Sequence, residues 1–155
     1  MNQVVGLFLV VSLIVSAAEV SAATVLGNPQ GQLVRFSSIA RGTQTGIRRP
    51  LQVVIRSASE WASLWHRHTV ITIPPPPVPE IDFSHEMVIG VLTGERRSGG
   101  YDVKILEVWR QTDHLLVLYR ETTPPTGTLT TEALTHPHHL IRTERSDLNV
   151  IFETQ

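Results

Sequence analysis

A chain of 155 residues that is 41% apolar can fill one hydrophobic core and would be crowded as two domains. Its formal charge of −1, from 13 Lys and Arg against 14 Asp and Glu, leaves no basic surplus for bulk binding of nucleic acid or an anionic membrane. It has no cysteine, which excludes disulfides, thiol catalysis and thiolate metal sites.

From Val4 to Ala18 the chain carries no charge, and small residues follow at Ser21, Ala22 and Ala23. This pattern predicts a secretory signal over residues 1–23, cut after Ala22 or Ala23. The apolar run falls short of the ~20 residues that cross a bilayer core, so a cleaved signal fits better than an anchor. Residues 1–3 lack Lys and Arg, which leaves the amino terminus as the only positive charge there, and no cysteine is present for lipid attachment. The expectation is a protein released into the periplasmic or extracellular space, without a membrane tether.

Residues 24–79 are expected to supply N-terminal strands, a helix and a proline-rich linker, and residues 80–153 a β domain packed with them as one unit. Thr24 to Gln32 is rich in small and turn-forming residues and reads as a loose entry. Leu33–Phe36 and Leu51–Ile55 combine β-branched and apolar residues and read as strands, with turn chemistry between them at Gly42–Pro50. Ser57 to His68 reads as the helix: Ser57 and Glu60 form a capping box, and Trp61, Leu64 and Trp65 lie on one face that points to the core. The Pro74–Pro79 run cannot donate to a sheet and favours the extended polyproline form, which makes it a stiff connector.

Met87–Leu92, Tyr101–Trp109 and Leu115–Tyr119 are apolar on more than one face, the mark of strands covered on both sides. Gly99-Gly100 and Gln111–His114 between them are short enough for antiparallel hairpins. Thr122 to Thr131 is a loop, and Leu140-Ile141 and Asn149–Phe152 close the chain as short strands. The fold class is therefore mainly β, bordering on α+β: an antiparallel sheet or sandwich of about seven strands with one short helix.

Enzyme motifs fail on specific residues. Gly94–Tyr101 has the glycine spacing of a phosphate loop, but Gly100 and Tyr101 occupy the lysine and hydroxyl positions. His85-Glu86 begins like a zinc-protease helix, yet Ile89 stands where the second histidine belongs. No serine sits in a nucleophile elbow, and Asp82 and Glu86 have no partner that spacing can place. The arginine pairs Arg48-Arg49 and Arg96-Arg97 read as solvated loops. His66 and His68, with His136, His138 and His139, are the one cluster of imidazoles; His136 and His138 would share a face of a strand and form the alternative metal site. No cofactor is implied.

The stretch from Pro79, with Asp82-Phe83-Ser84, Glu86-Met87-Val88, Gly94 and Gly99-Gly100-Tyr101 in order, resembles the conserved domain of the PrcB family, named for a subunit of a bacterial protease complex. Leu134–His139 is similar to the family's Leu-Thr-x-Pro-(aromatic)-His pattern, with His138 at the aromatic position. Ser59-Glu60-Trp61 and Leu64-Trp65 upstream also fit. Ser98 stands where Thr is common, and the lipoprotein cysteine of the namesake is missing. The resemblance implies an exported, non-catalytic domain that associates with a protease, so the expected partner is a protein, a secreted protease; the charge balance argues against nucleic acid, and signal cleavage against membrane. Ser98, Gly99, Gly100 and Tyr101 form a glycine loop like that of the chagasin-type protease inhibitors, and Pro124–Leu129 with Gly127 stands as its second loop. Direct inhibition through Gly99–Tyr101 is the alternative function.

Overall fold

The computed structural model describes residues 31–155, so the predicted signal over 1–23 lies outside the described residues. Eight strands and one helix follow in chain order: β1 (Gln32–Val34), β2 (Phe36–Gly42), β3 (Leu51–Ile55), α1 (Ala58–Thr69), β4 (Glu86–Leu92), β5 (Asp102–Arg110), β6 (His114–Thr122), β7 (His138–Glu144) and β8 (Asn149–Thr154). They form two four-stranded sheets, β1-β5-β6-β8 and β2-β7-β4-β3, with α1 on the outer face of the second.

The continuous apolar run of β4 is explained by this three-layer stack. Met87, Ile89 and Val91 turn inward and meet Val103, Ile105 and Val108 of β5 and Leu115, Val117 and Tyr119 of β6. Val88 and Leu92 turn outward and, with Leu140 and Ile55, meet Trp61, Leu64 and Trp65 of the helix. Both faces are buried, so every side chain from Met87 to Leu92 is withdrawn from water and no polar alternation is needed. Gly90 is the one small residue in that run, because a Cβ there would lie 2.5 Å from Leu140 Cδ2.

The helix begins where its capping signal placed it. Ser57 Oγ accepts from the Glu60 N–H at 3.4 Å and donates to the Glu60 carboxylate at 2.7 Å. The two tryptophans face the core and also hold the proline segment: Trp61 Nε1 donates to Pro79 O at 2.8 Å and Trp65 Nε1 to Pro76 O at 3.3 Å. The polyproline stretch is thus docked on its own helix through carbonyls that have no partner within it.

Three features depart from expectation. The strand expected at Leu33–Phe36 breaks at Arg35 into β1 and β2, which lie in different sheets, and β2 continues through Ser37–Gly42 with a bulge between Ser38 and Ala40. That continuation carries small polar residues and no apolar alternation, so eight strands form where about seven were expected. The Gly99-Gly100 link is not a hairpin: both edges of β4 are already occupied, by β3 and β7, so the chain must cross to the other sheet to begin β5. Finally, β8 pairs with β6 in parallel, because it arrives from β7 in the opposite sheet rather than from a neighbouring strand. The Gln111–His114 link is the expected hairpin.

Candidate functional site

At one end of the sandwich the crossover 93–101 and the long link 123–137 are laced together. Arg96 and Thr135 exchange both backbone bonds, at 2.7 and 2.9 Å, and Thr135 Oγ1 donates to Ser98 O at 2.8 Å. Gly99 N donates to Thr131 O at 3.0 Å, and a Cβ on Gly99 would lie 2.5 Å from Thr131 Oγ1. Gly100 has φ +87°, and a Cβ there would lie 2.8 Å from Pro124 Cβ. Glycine is required at both positions by close approach, and at Gly100 by conformation as well.

The second loop stands on this base. Thr128 N donates to Pro125 O at 3.1 Å, closing a turn whose third residue, Gly127, has φ +82° and nothing within 4 Å of a would-be Cβ. Leu129 is 100% exposed and Leu134 51%. The two loops singled out from sequence therefore adjoin: Ser98, Gly99 and Gly100 form the buttress, and Gly127 forms the tip. Tyr101 lies at the edge, half-buried, with the Arg96 guanidinium 5.7 Å from its ring centroid, and Arg96 also pairs with Glu121 at 3.3 Å. An exposed leucine on an open turn, held by a rigid base, suits contact with another protein.

The histidines divide into separate environments. His136 is buried with Nε2 3.3 Å from the Glu95 carboxylate. Its Nδ1 has no hydrogen-bond partner among the described residues. His138 donates from Nδ1 to His136 O at 3.2 Å and packs edge-on against His68 with centroids 4.6 Å apart. His68 Nδ1 bonds Thr45 Oγ1 at 2.9 Å, while the Thr45 hydroxyl donates to His68 O at 3.3 Å. Burial lowers the His138 pKa, and burial together with the nearby His138 lowers that of His68 from 6.5 to about 4. His66, on the opposite face of the helix, is exposed. Among the described residues no group of three or more His, Asp or Glu could hold a metal ion.

His139 has a role that its spacing did not announce. Its Nδ1 accepts the Ile105 N–H at 2.8 Å and its Nε2 meets Ser38 Oγ at 3.0 Å. Because Nδ1 accepts, the proton of the neutral ring is on Nε2 and is donated to Ser38. The ring thus crosses between the sheets and satisfies a backbone donor beside the β5 bulge between Ile105 and Glu107. Burial and then the charge of Arg41 push its pKa to about 4. Arg41 spans the same gap, with Nε to Val103 O at 3.2 Å and an ion pair to Asp102. Only the polar content of β2 hinted at such a seam.

Asp82, Ser84 and His85 gather on the exposed turn before β4. Asp82 Oδ1 accepts the Ser84 N–H at 3.0 Å and Asp82 Oδ2 lies 2.7 Å from His85 Nδ1. Ser84 Oγ lies 3.0 Å from that same His85 nitrogen. A proton relay needs the carboxylate and the hydroxyl on opposite ring nitrogens, so this trio is an Asx-type turn rather than a nucleophile with its base. The hydrogen bonds from Ser84 and His85 hold the Asp82 carboxyl at about 2, and Asp82 in turn raises the His85 pKa.

No curated protein and no solved structure matches the chain. A family model does: the one described as PrcB C-terminal matches residues 87–144, which run from the first fully buried residue of β4 to the end of β7 and include both loops, and this match supports the resemblance read from the sequence.

Proposed function

We propose that the chain is a non-catalytic protein-binding module that acts outside the cytoplasm in association with a protease, and that it meets its partner through the loop 124–131. The carrying observation is the open turn at Gly127 with the fully exposed Leu129, buttressed by Gly99 and Gly100. The PrcB C-terminal match over residues 87–144 supports a protease-complex association. The apolar, uncharged run from Val4 to Ala18, followed by small residues at Ser21, Ala22 and Ala23, supports export. Co-purification of the full-length protein from its own host, followed by partner identification, tests the reading. A protease should be retained by the wild type and lost with Leu129→Asp, a surface change that leaves thermal stability unaltered. Retention unaffected by Leu129→Asp, or peptide hydrolysis by this chain alone, would overturn it.

Direct inhibition is favoured by one specific feature, the open space around Gly127, where nothing lies within 4 Å of a would-be Cβ. A panel of secreted serine, cysteine and metalloproteases separates the two readings. An inhibitor must block at least one of them and weaken when Gly100→Val displaces the buttress, whereas an accessory subunit need block none.

A further inference from the structure

We infer that the outer edge of β3 takes the free C-terminal tail of a partner protein as an added antiparallel strand, its carboxylate held by Arg67, Arg48 and Arg49. This surface is distinct from the loop 124–131, and neither reading depends on the other.

Strand β3 is the last in the order β2-β7-β4-β3 and is bonded only to β4. Every second residue of Leu51–Ile55 therefore turns its N–H and C=O outward, and among the described residues no backbone bond meets them there. The devices that usually blunt an edge are absent from this one: it has no charge, no proline and no bulge within the strand. By contrast, the β2 edge has a bulge and Arg41, β1 is three residues long, and β8 carries Glu153.

A groove of about 470 Å³ lies beside the Val53–Ile55 part of this edge. Val53, Ile55 and Leu64 give it apolar surface, and Ser59, Glu60, Ser63 and Arg67 of α1 form its far wall. An open edge strand facing a helix across a groove of mixed polar and apolar lining is an arrangement in which an extended peptide adds to a sheet, backbone bonds supplying affinity and alternate side chains specificity.

The direction and the terminus follow from charge. Helix α1 starts beside the end of β3 and runs back along it, and its last turn is tied to the loop before β3 by Gly46 N to His68 O at 3.0 Å. Arg67 therefore lies at the Leu51 end of the groove and Glu60 at the Ile55 end. At the Leu51 end a second depression of about 550 Å³ shares Arg67 and adds Arg48, Arg49 and His66 around Ile47 and Val70. No carboxylate lines it, and among the described residues Arg48, Arg49 and Arg67 form no ion pair. An antiparallel strand would run from Glu60 towards these arginines and deliver its carboxylate to them. Its last apolar side chain would cover Ile47 and Val70, and five residues at ~3.3 Å each would span the strand.

A chain terminus suits this end of the strand because its carboxylate arrives where Arg48, Arg49 and Arg67 are exposed.

The test uses a phage library displaying random heptapeptides with free C-termini, panned on the full-length protein. Enriched sequences are then synthesised as the free acid and as the amide. We expect the free acid to bind, amidation or Arg67→Glu to weaken binding at least about tenfold, and amide NMR shifts to gather on residues 51–55 and 59–67. The double variant Arg48→Glu, Arg49→Glu provides the same reading if Arg67→Glu fails to fold. Absence of enrichment over an empty support, equal binding of acid and amide, or shifts elsewhere would each overturn the inference. Sedimentation showing a dimer whose shifts fall on β3 would replace it with edge-to-edge self-association.

Discussion

Acidification from pH 7 to pH 5 should destabilise the fold, most clearly through His68 and His139. Both rings are held neutral, with pKa values lowered from 6.5 to about 4 chiefly by burial. A depressed pKa stabilises the fold above the unfolded value and loses that contribution as pH falls from 6.5 towards 4, because the unfolded chain binds protons that the folded chain refuses. At pH 5 each ring gives up about 2 kcal/mol at face value, and screening and local relaxation reduce the pair to about 2–3 kcal/mol, a large part of a small domain's stability. Asp82, held at about 2, titrates below this window, whereas His85, raised by Asp82, opposes the slope at its neutral end. Urea denaturation at half-unit steps from pH 7.5 to 4.5 measures the slope, which should reach uptake of about two protons on unfolding from His68 and His139, with His138, also lowered by burial, adding to it. His139→Asn supplies an acceptor for the Ile105 N–H without a titrating group, so it should fold and lower the slope by close to one proton. A flat profile from pH 7 to pH 5, or an unchanged slope in His139→Asn, would refute the reasoning.

Arg145 donates from Nη1 to Arg56 O and Phe83 O at 3.0 and 2.8 Å, so Arg145→Met should cost about 2 kcal/mol in urea denaturation; a loss below ~0.5 kcal/mol would deny it that clamp. Trp61→Phe keeps most of the apolar contact but orphans Pro79 O, which predicts a loss of about 1 kcal/mol and faster proteolysis within residues 74–79. Gly100→Val meets Pro124 in a backbone region closed to a β-branched residue and should cost ~2 kcal/mol or more, with cleavage at 124–131 accelerated; unchanged proteolysis would mean that the buttress is not needed. Mass measurement of the protein secreted by its host should give a mature start at Ala23 or Thr24, and an intact Met1 would restore the anchor.

The parts of the fold legible in the sequence were those written in local patterns. Ser57 with Glu60, and Trp61 with Leu64 and Trp65, specify a helix and its buried face within a dozen residues. The run Met87–Leu92 records burial on both sides, although nothing in it distinguishes a neighbour in the same sheet from one in the opposite sheet. That is why Gly99-Gly100 looked like a hairpin: link length is local, while occupancy of the edges of β4 depends on Leu51 and His138, some forty residues away in either direction. The extension of β2 through Ser37–Gly42 was illegible because tertiary pairing with β7 overrides weak strand propensity. At the candidate site, Gly100 and Gly127 could be found from composition because positive φ selects glycine. Their adjoining could not, since it rests on backbone bonds between 96–99 and 131–135. The histidines were legible as a cluster only in number; His139 faces Ser38 and Ile105, and His138 faces His68.

The break at Arg35 sends one short stretch of chain into both sheets, and the crossovers after β4 and β7 do the same further on. Neither sheet can be completed from consecutive strands: β1 waits for β5, β2 for β7, and β6 for β8. Most pairings must close long loops before they gain anything, which places folding in the millisecond-to-second regime of non-local β topologies. A chain truncated before residue 138 would leave β2 and β4 without their shared partner, so the whole described unit should form or fail in one cooperative step.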